Sequence, residues 1–342
     1  MVRMTSKSTR RTVLVTGGAG YVGSHACKAL ARAGYAPVVY DNLSRGHAWA
    51  VQWGGLERGD LLSPARLAAA FRKHRPFAVM HFAALAYVGE SVEDPLRYYH
   101  NNVGGTMNLL EAMRDRGVNE IVFSSTCSVY GIPERVPIPE NHAQRPINPY
   151  GHSKRMVEQM LADSAAAHGL RSVSLRYFNA AGADPEGEIG EVHDPETHLI
   201  PLVLEAAAGL RPRLTIHGTD YPTRDGTCIR DYVHVADLAD AHVSALGYLA
   251  KHEGATAFNL GNGEGFTVRE VIDAAHRLTG RKIPLREGPR RPGDPPALVG
   301  NAASARRSLG WKPRYQDLEV IIGSAWRWLQ SAKGKARRKK RS

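Results

Sequence analysis

Short β-branched runs alternate with helical stretches through the first half of the chain. Thr12–Thr16 (TVLVT) reads as a buried strand. A helix follows over residues 21–33, with Gly34 as its C-cap. Further strands are expected at 37–40, 78–82 (AVMHF), 120–125 (EIVFSS) and 172–177 (SVSLRY), with one more β-run just before Asp60. Helices are expected at Pro64–His74, 102–116 and 150–168. Such alternation predicts an α/β fold of the Rossmann type, a doubly wound parallel sheet with helices on both faces.

The register weakens after Phe178. Residues 179–235 are rich in glycine, proline and charge, and residues 283–315 in proline and arginine. Strand-like Leu214–His217 and 257–260, and helices near 234–250 and 268–278, lie among them. We therefore expect a dinucleotide-binding domain over 12–178, with elements returning to it from about 234–262. A smaller substrate lobe is expected over 179–332, laid on the carboxyl edge of the sheet.

Hydrophobic residues are 43% of the 342 and charged residues 23%, ordinary for a globular protein. No apolar run reaches 18 residues, so no membrane span is expected. The basic N-terminus lacks an apolar core and does not read as a secretory signal. The net charge of +12 resembles a nucleic-acid signal until it is located. Arg3, Lys7, Arg10 and Arg11 carry four of the charges, and the tail from Lys333 carries seven more, leaving a near-neutral body. The ends, 1–11 and 333–342, are expected to be disordered, and nucleic-acid binding would rest on them alone. Cys27, Cys127 and Cys228 are odd in number and widely spaced, without C-x-x-C. They fit a reducing, cytoplasmic setting and neither a disulfide framework nor a structural zinc site.

The first strand runs into TGGAGYVGS, with Gly17, Gly20 and Gly23 in G-x-x-G-x-x-G spacing. Strand, glycines, then helix is the context in which backbone amides and a helix dipole bind a pyrophosphate. Asp41 follows at the end of the second strand, 18 residues after Gly23. A carboxylate there favours a free ribose 2′-hydroxyl, hence NAD over NADP. Asp60 could meet the adenine edge. Tyr150 and Lys154, in NPYGHSK, stand one helical turn apart. Alone, such a pair is ordinary helix surface. Beside a dinucleotide site it suggests a phenol acid–base with a neighbouring ammonium that lowers its pKa. The fourth strand of that reading ends in SSTCSVYG, placing hydroxyls of Ser124, Ser125 and Thr126 at the sheet edge where ligands bind.

This combination resembles the extended short-chain dehydrogenase/reductase family, and within it the UDP-glucose 4-epimerase (UDP-galactose 4-epimerase) group. The matching stretches are GGAGYVGSH, YDNLSRG, HFAALAYVGESV, YYHNNVGGT, FSSTCSVYG, NPYGHSK, LRYFNAAGADPEGEIGE, DGTCIRDYVHVADLADAH, FNLGNGEGFTVREV and RRPGDPPALVGN. The resemblance implies that Tyr150 is the acid–base for the sugar 4-hydroxyl. Lys154 would hold the nicotinamide ribose and keep the phenol near neutrality, and Thr126 would bond the reacting oxygen. It implies an NAD site formed by Gly17, Gly20, Tyr21, Val22, Gly23, Asp41, Asn42, Asp60, Leu61, Phe82, Ala83, Ala84, Asn102, Ser124, Tyr150, Lys154 and Tyr177. The UDP-sugar would meet Thr126, Tyr150, Asn179, His198, Leu199, His217, Arg230, Arg291 and Asp294. It also implies a homodimer, with no metal and no membrane.

Departures from the group bear on substrate breadth. His198 replaces a common asparagine, His217 stands where an aromatic ring often stacks on uracil, and Leu298 occupies a position bearing on sugar size. A UDP-xylose/UDP-arabinose 4-epimerase, or a dual hexose/pentose enzyme, would share every catalytic residue. Related dehydratases carry an Asp–Glu pair after the strand-end threonine. Cys127 and Ser128 stand there instead, which disfavours elimination, and decarboxylation is disfavoured likewise. A silent NAD-sensing protein would typically lose the tyrosine or lysine that this chain retains.

Overall fold

The computed structural model describes residues 10–291, 294–331 and 333–334. The expected disordered ends fall, apart from residues 10–11 and 333–334, outside the described residues. Seven parallel strands form the main sheet: β1 Thr12–Thr16, β2 Ala36–Asp41, β3 Gly55–Arg58, β4 Ala78–His81, β5 Glu120–Thr126, β6 Arg171–Tyr177 and β7 Ala255–Leu260. Their spatial order is β7-β6-β5-β4-β1-β2-β3, and every pairing is parallel.

The period of two along each strand feeds two separate apolar layers. Val13, Val15 and Val122 face helices Tyr21–Arg32 and Val235–Leu249 through Ala26, Leu30, Leu238, Ala241 and Ala245. Leu14, Ile121 and Phe123 face the other way, onto Leu67, Phe71, Leu109, Met113, Val157 and Leu161 of helices Pro64–His74, Gly105–Asp115 and Pro149–His168. A distinct cluster gathers Ile200, Val203, Leu204, Ile216, Val271, Ile272, Ile321 and Ile322 beyond the sheet. It lies under helices Leu199–Ala207, Val268–Thr279 and Leu318–Gln330.

The sheet differs from the sequence reading in detail. Residues 78–82 are its fourth strand in chain order, because Gly55–Arg58 is the third. That segment, GLER, is a largely exposed edge strand, so it lacks the apolar signature of a buried parallel one. The expected helix at 102–116 begins as a π-helical turn, Tyr99–Gly104, before α-geometry takes over at Gly105. No helix among the described residues is long and apolar enough to cross a membrane.

Four histidines are buried in this framework. Burial pushes His25 down to about 4, His81 to about 3, His234 to about 3 and His242 to about 4. The unfolded chain binds these protons near pH 6.5 and the native chain does not. Their contribution is therefore intact above that value and lost as pH falls toward 4. The urea midpoint should drop progressively between pH 6.5 and 4.5, and His242→Gln should flatten that dependence. A pH-independent midpoint over this range would contradict the assignment.

Candidate active site

The glycine loop leaves β1 at its carboxyl end and turns directly into helix Tyr21–Arg32. Gly17 has φ +72°, and a Cβ there would lie 2.5 Å from the Ala83 amide nitrogen. A Cβ on Gly23 would lie 2.3 Å from the Gly17 carbonyl oxygen. These two glycines let the loop close on the strand-end segment Phe82–Ala83, whose amides donate to the Thr16 carbonyl. Gly20 is different: a Cβ there would touch only Gly17, at 3.2 Å, so its missing side chain opens the outer face. The first helical hydrogen bond runs from Ser24 to Gly20, leaving the amides of Tyr21, Val22 and Gly23 for a ligand. The first turn carries no acidic residue. The Tyr21 side chain itself turns away, donating to the Gly182 carbonyl at 2.7 Å. Small residues, free amides and an unopposed dipole fit a dinucleotide pyrophosphate.

Asp41, at the end of β2, accepts from the Ala19 amide at 3.0 Å and the Leu43 amide at 2.8 Å. It ties the glycine loop to the next turn, and each carboxylate oxygen keeps acceptor capacity for a ribose hydroxyl. Burial raises its pKa despite those two bonds. Arg45, the nearby cation that could have favoured a 2′-phosphate, is held by Glu90 at 2.6 Å and the Asp194 carbonyl at 2.8 Å. Asn42 donates to Asp60 at 2.8 Å, and Asp60 accepts from the Leu62 amide at 2.8 Å. Leu61 is buried against Gly105, while Ala84 stays partly open.

The catalytic side of the cleft forms where β5 meets helix Pro149–His168. Asn148 caps that helix by accepting from the Gly151 amide at 2.8 Å, and Pro149 fixes its first residue. Tyr150 is thereby set in the first turn. A Cβ on Gly151 would lie 2.6 Å from the Ser128 carbonyl, so glycine allows the helix start to press on the segment after β5. Thr126 accepts from the Ser128 amide at 3.1 Å. Ser125, on the opposite strand face, donates to Glu158 at 2.5 Å. Lys154 Nζ donates to the Ser124 carbonyl at 2.8 Å and lies 6.0 Å from the Tyr150 ring centre. The Ser124 hydroxyl meets the Tyr177 hydroxyl at 2.6 Å.

The sequence reading has Lys154 holding the Tyr150 phenol near neutrality beside a dinucleotide; in the protein alone, desolvation outweighs the ammonium. Burial pushes Tyr150 well above a free phenol, Tyr177 adds to the rise, and the Thr126 hydroxyl only partly opposes it. Lys154 is itself pushed down to about 7 by burial, with Glu158 opposing. The ammonium donates to a carbonyl rather than to the phenol, so desolvation dominates both groups. Asn102, expected to line the cofactor site, is held by its neighbours. Its amide accepts from the Leu85 amide at 2.8 Å and donates to the Leu85 carbonyl and Ser153 hydroxyl, both at 3.0 Å. Asn101 donates to its remaining acceptor position at 2.9 Å. With all four positions engaged, the Asn102 amide fixes the Leu85 turn.

Phe82 and Tyr177 both lean on the buried His242, at 4.7 Å and 6.1 Å between ring centres. Across the cleft, Arg230 pairs with Asp294, and Arg291 and Asp294 act electrostatically on His217. These four expected residues come together. Arg230 gives Nη2 to Asp294 and Nη1 to the Ile229 carbonyl at 2.7 Å, and Arg291 is the more exposed cation. Asn179 donates to the Asp231 carbonyl at 2.9 Å, and Leu199 opens the helix Leu199–Ala207.

His198, expected at the UDP-sugar, has partners the sequence did not show. Its Nδ1 lies 2.9 Å from Glu196 and 3.0 Å from Glu191, and those carboxylates raise its pKa to about 10 against the effect of burial. The side chain is therefore held by two carboxylates. The sequence reading assigned no metal ligands, yet the fold gathers Glu191, His193, Glu196 and His198 into one cluster. The signal was present as E-x-H-x-x-E-x-H, Glu191 to His198.

Residues 13–261 match the NAD dependent epimerase/dehydratase family. The chain is 56% identical to a UDP-glucose 4-epimerase of Rhizobium leguminosarum bv. trifolii, over 93% of this chain and 97% of that protein. It is similar to the crystal structure of a UDP-glucose 4-epimerase from Brucella ovis in complex with NAD, with TM-score 0.91 and 56% identity over 95% of this chain and 98% of that one. A UDP-glucose-4-epimerase from Stenotrophomonas maltophila, solved with NAD and formylated UDP-arabinopyranose, matches with TM-score 0.91 and 41% identity over 97% and 100% of the two chains.

Holding alanine at position 17 in the left-handed region costs roughly 1–3 kcal/mol before the clash with Ala83 is counted. Gly17→Ala should therefore weaken NAD binding about tenfold or more, read by equilibrium dialysis of the folded variant. Unchanged affinity would contradict the loop's assigned role.

Proposed function

The chain belongs to the NAD dependent epimerase/dehydratase family, and from that footing we infer how its residues carry the reaction. It is an NAD-dependent UDP-glucose 4-epimerase, an isomerase that interconverts UDP-glucose and UDP-galactose. The observation that carries the residue assignments is the meeting of Tyr150, Thr126 and Lys154 at the carboxyl end of β5, on the same sheet edge as the glycine loop.

NAD⁺, when bound, supplies the acceptor for the C4 hydride and a positive charge that favours the Tyr150 phenolate. Lys154 has three donors and one protein acceptor, which leaves two for the ribose hydroxyls. The glycine-loop amides and Asp41 hold the pyrophosphate and the other ribose. Tyr150 takes the 4-hydroxyl proton as C4 is oxidised to a ketone. Thr126 bonds the same oxygen. The 4-ketose turns to present its other face, and Tyr150 returns the proton as C4 is reduced. Arg230 and Arg291 hold the UDP, so binding energy sits away from the carbon that must turn. His217 offers a ring to the uracil.

The hexose reading is favoured over a pentose-only epimerase by the 46% to 56% identity to curated UDP-glucose 4-epimerases. Exposed Val92, Leu96, Met107 and Met156 on adjoining helices support a homodimer. Three buried free thiols support a reducing, cytoplasmic setting.

Tyr150→Phe should lower kcat for UDP-galactose by about 10²–10⁴ while the circular dichroism spectrum stays native. An active variant would remove the tyrosine from its role. Arg230→Lys should raise KM about tenfold with kcat nearly kept, because a lysine cannot fork onto a pyrophosphate. An unchanged KM would contradict that contact. Proton NMR with UDP-galactose and, separately, UDP-xylose tests the substrate: turnover of UDP-xylose alone would overturn the hexose reading.

A further inference from the structure

Among the described residues two clusters of possible metal-ligating side chains stand apart from Tyr150, Thr126 and Lys154. In the first, Asp184, Glu186 and Glu188 surround Lys28, whose ammonium reaches them at 2.7, 2.9 and 2.5 Å. That cluster already has its cation. The second has no lysine or arginine. The side chains of Glu191 and Glu196 are buried, and among the described residues no lysine or arginine nitrogen lies within ion-pair distance of either carboxylate.

Two histidines face those carboxylates. His193 Nδ1 lies 3.0 Å from Glu191 and 3.8 Å from Glu196, and His198 Nδ1 lies 3.0 and 2.9 Å from the same pair. One ligand atom from each of the four residues falls within 4.8 Å of all the others. A tetrahedral zinc ion with bonds of about 2.0–2.1 Å places its ligand atoms about 3.3 Å apart. The observed spacings straddle that edge length. The Glu196 carboxylate is also oriented by the amides of Thr197 and His198, at 2.9 and 3.0 Å, the outer support that metal ligands use. His198 is the most exposed of the four and gives an ion a route from solvent.

We propose that Glu191, His193, Glu196 and His198 form a binding site for a divalent transition cation, zinc in the first instance. Two imidazole nitrogens and two carboxylate oxygens suit such an ion, which would displace the imidazole protons and take over the neutralising of two buried carboxylates. The site joins two parts of the fold. His193 packs edge-on against Tyr21 of the glycine-loop helix, at 6.1 Å between ring centres. His47 bonds the Val192 carbonyl at 2.9 Å, and Trp328 donates to the Glu191 carbonyl at 3.2 Å. An ion there fixes the segment that leads into helix Leu199–Ala207.

The test uses the full chain made without a polyhistidine tag, stripped with EDTA and dialysed. Calorimetric titration with Zn²⁺ should give one ion per chain with Kd below roughly 10 μM. The double variant His193→Gln/His198→Gln should lose that affinity by about 100-fold. Co²⁺ added to the unaltered protein should give the intense visible bands of a tetrahedral site, a readout that does not depend on the variant folding. Binding weaker than millimolar, equal binding by the variant, which would mean surface ions only, or an octahedral Co²⁺ spectrum would each overturn the site.

Discussion

The ammonium of Lys154 is buried at the carboxyl end of β5 and donates to the Ser124 carbonyl 2.8 Å away. An ammonium in that position is costly unless its remaining donors find oxygen. Burial has pushed its pKa down to about 7, a measure of how poorly the protein alone solvates it. The cofactor ribose is the partner that suits this arrangement. On the reading proposed above, cofactor binding and catalytic competence meet at this one side chain, and the neighbouring phenol shares the same burial.

The parallel sheet makes this convergence possible. Its strands deliver the glycine loop, Asp41, Phe82, Thr126 and Tyr177 to one edge, as open α/β sheets do. Close packing then sets the fine geometry. Gly17 lets the loop lie against Ala83, and Gly151 lets the Tyr150 helix press on Ser128. Beyond the sheet Arg230 pairs with Asp294, and Arg291 and Asp294 act on His217; on the reading proposed above, a grip on the nucleotide there leaves the sugar free to turn.

Much of this was legible in the sequence because it rests on local rules. Buried parallel strands are continuous apolar runs, and TVLVT falls on β1 without adjustment. Asn-Pro before Tyr150 is a helix start that can be read directly. Gly55–Arg58 was legible only as a β-run before Asp60, without bounds, because an exposed edge strand has no apolar face to show. The engagement of Asn102 and His198 by neighbours was hidden because both depend on contacts formed by folding. The strength of desolvation at Tyr150 and Lys154 was hidden for a related reason: spacing shows which charges are close, but burial in the protein alone outweighs them.

In the mechanism built on these residues, C4 loses and regains the same hydrogen without its passing through solvent. The direct measurement is conversion of UDP-galactose by the purified chain in deuterium oxide, followed at C4 by proton NMR. The UDP-glucose formed should keep protium at C4 through many turnovers. Deuterium at C4 would contradict the mechanism, because the hydrogen would then have passed through solvent.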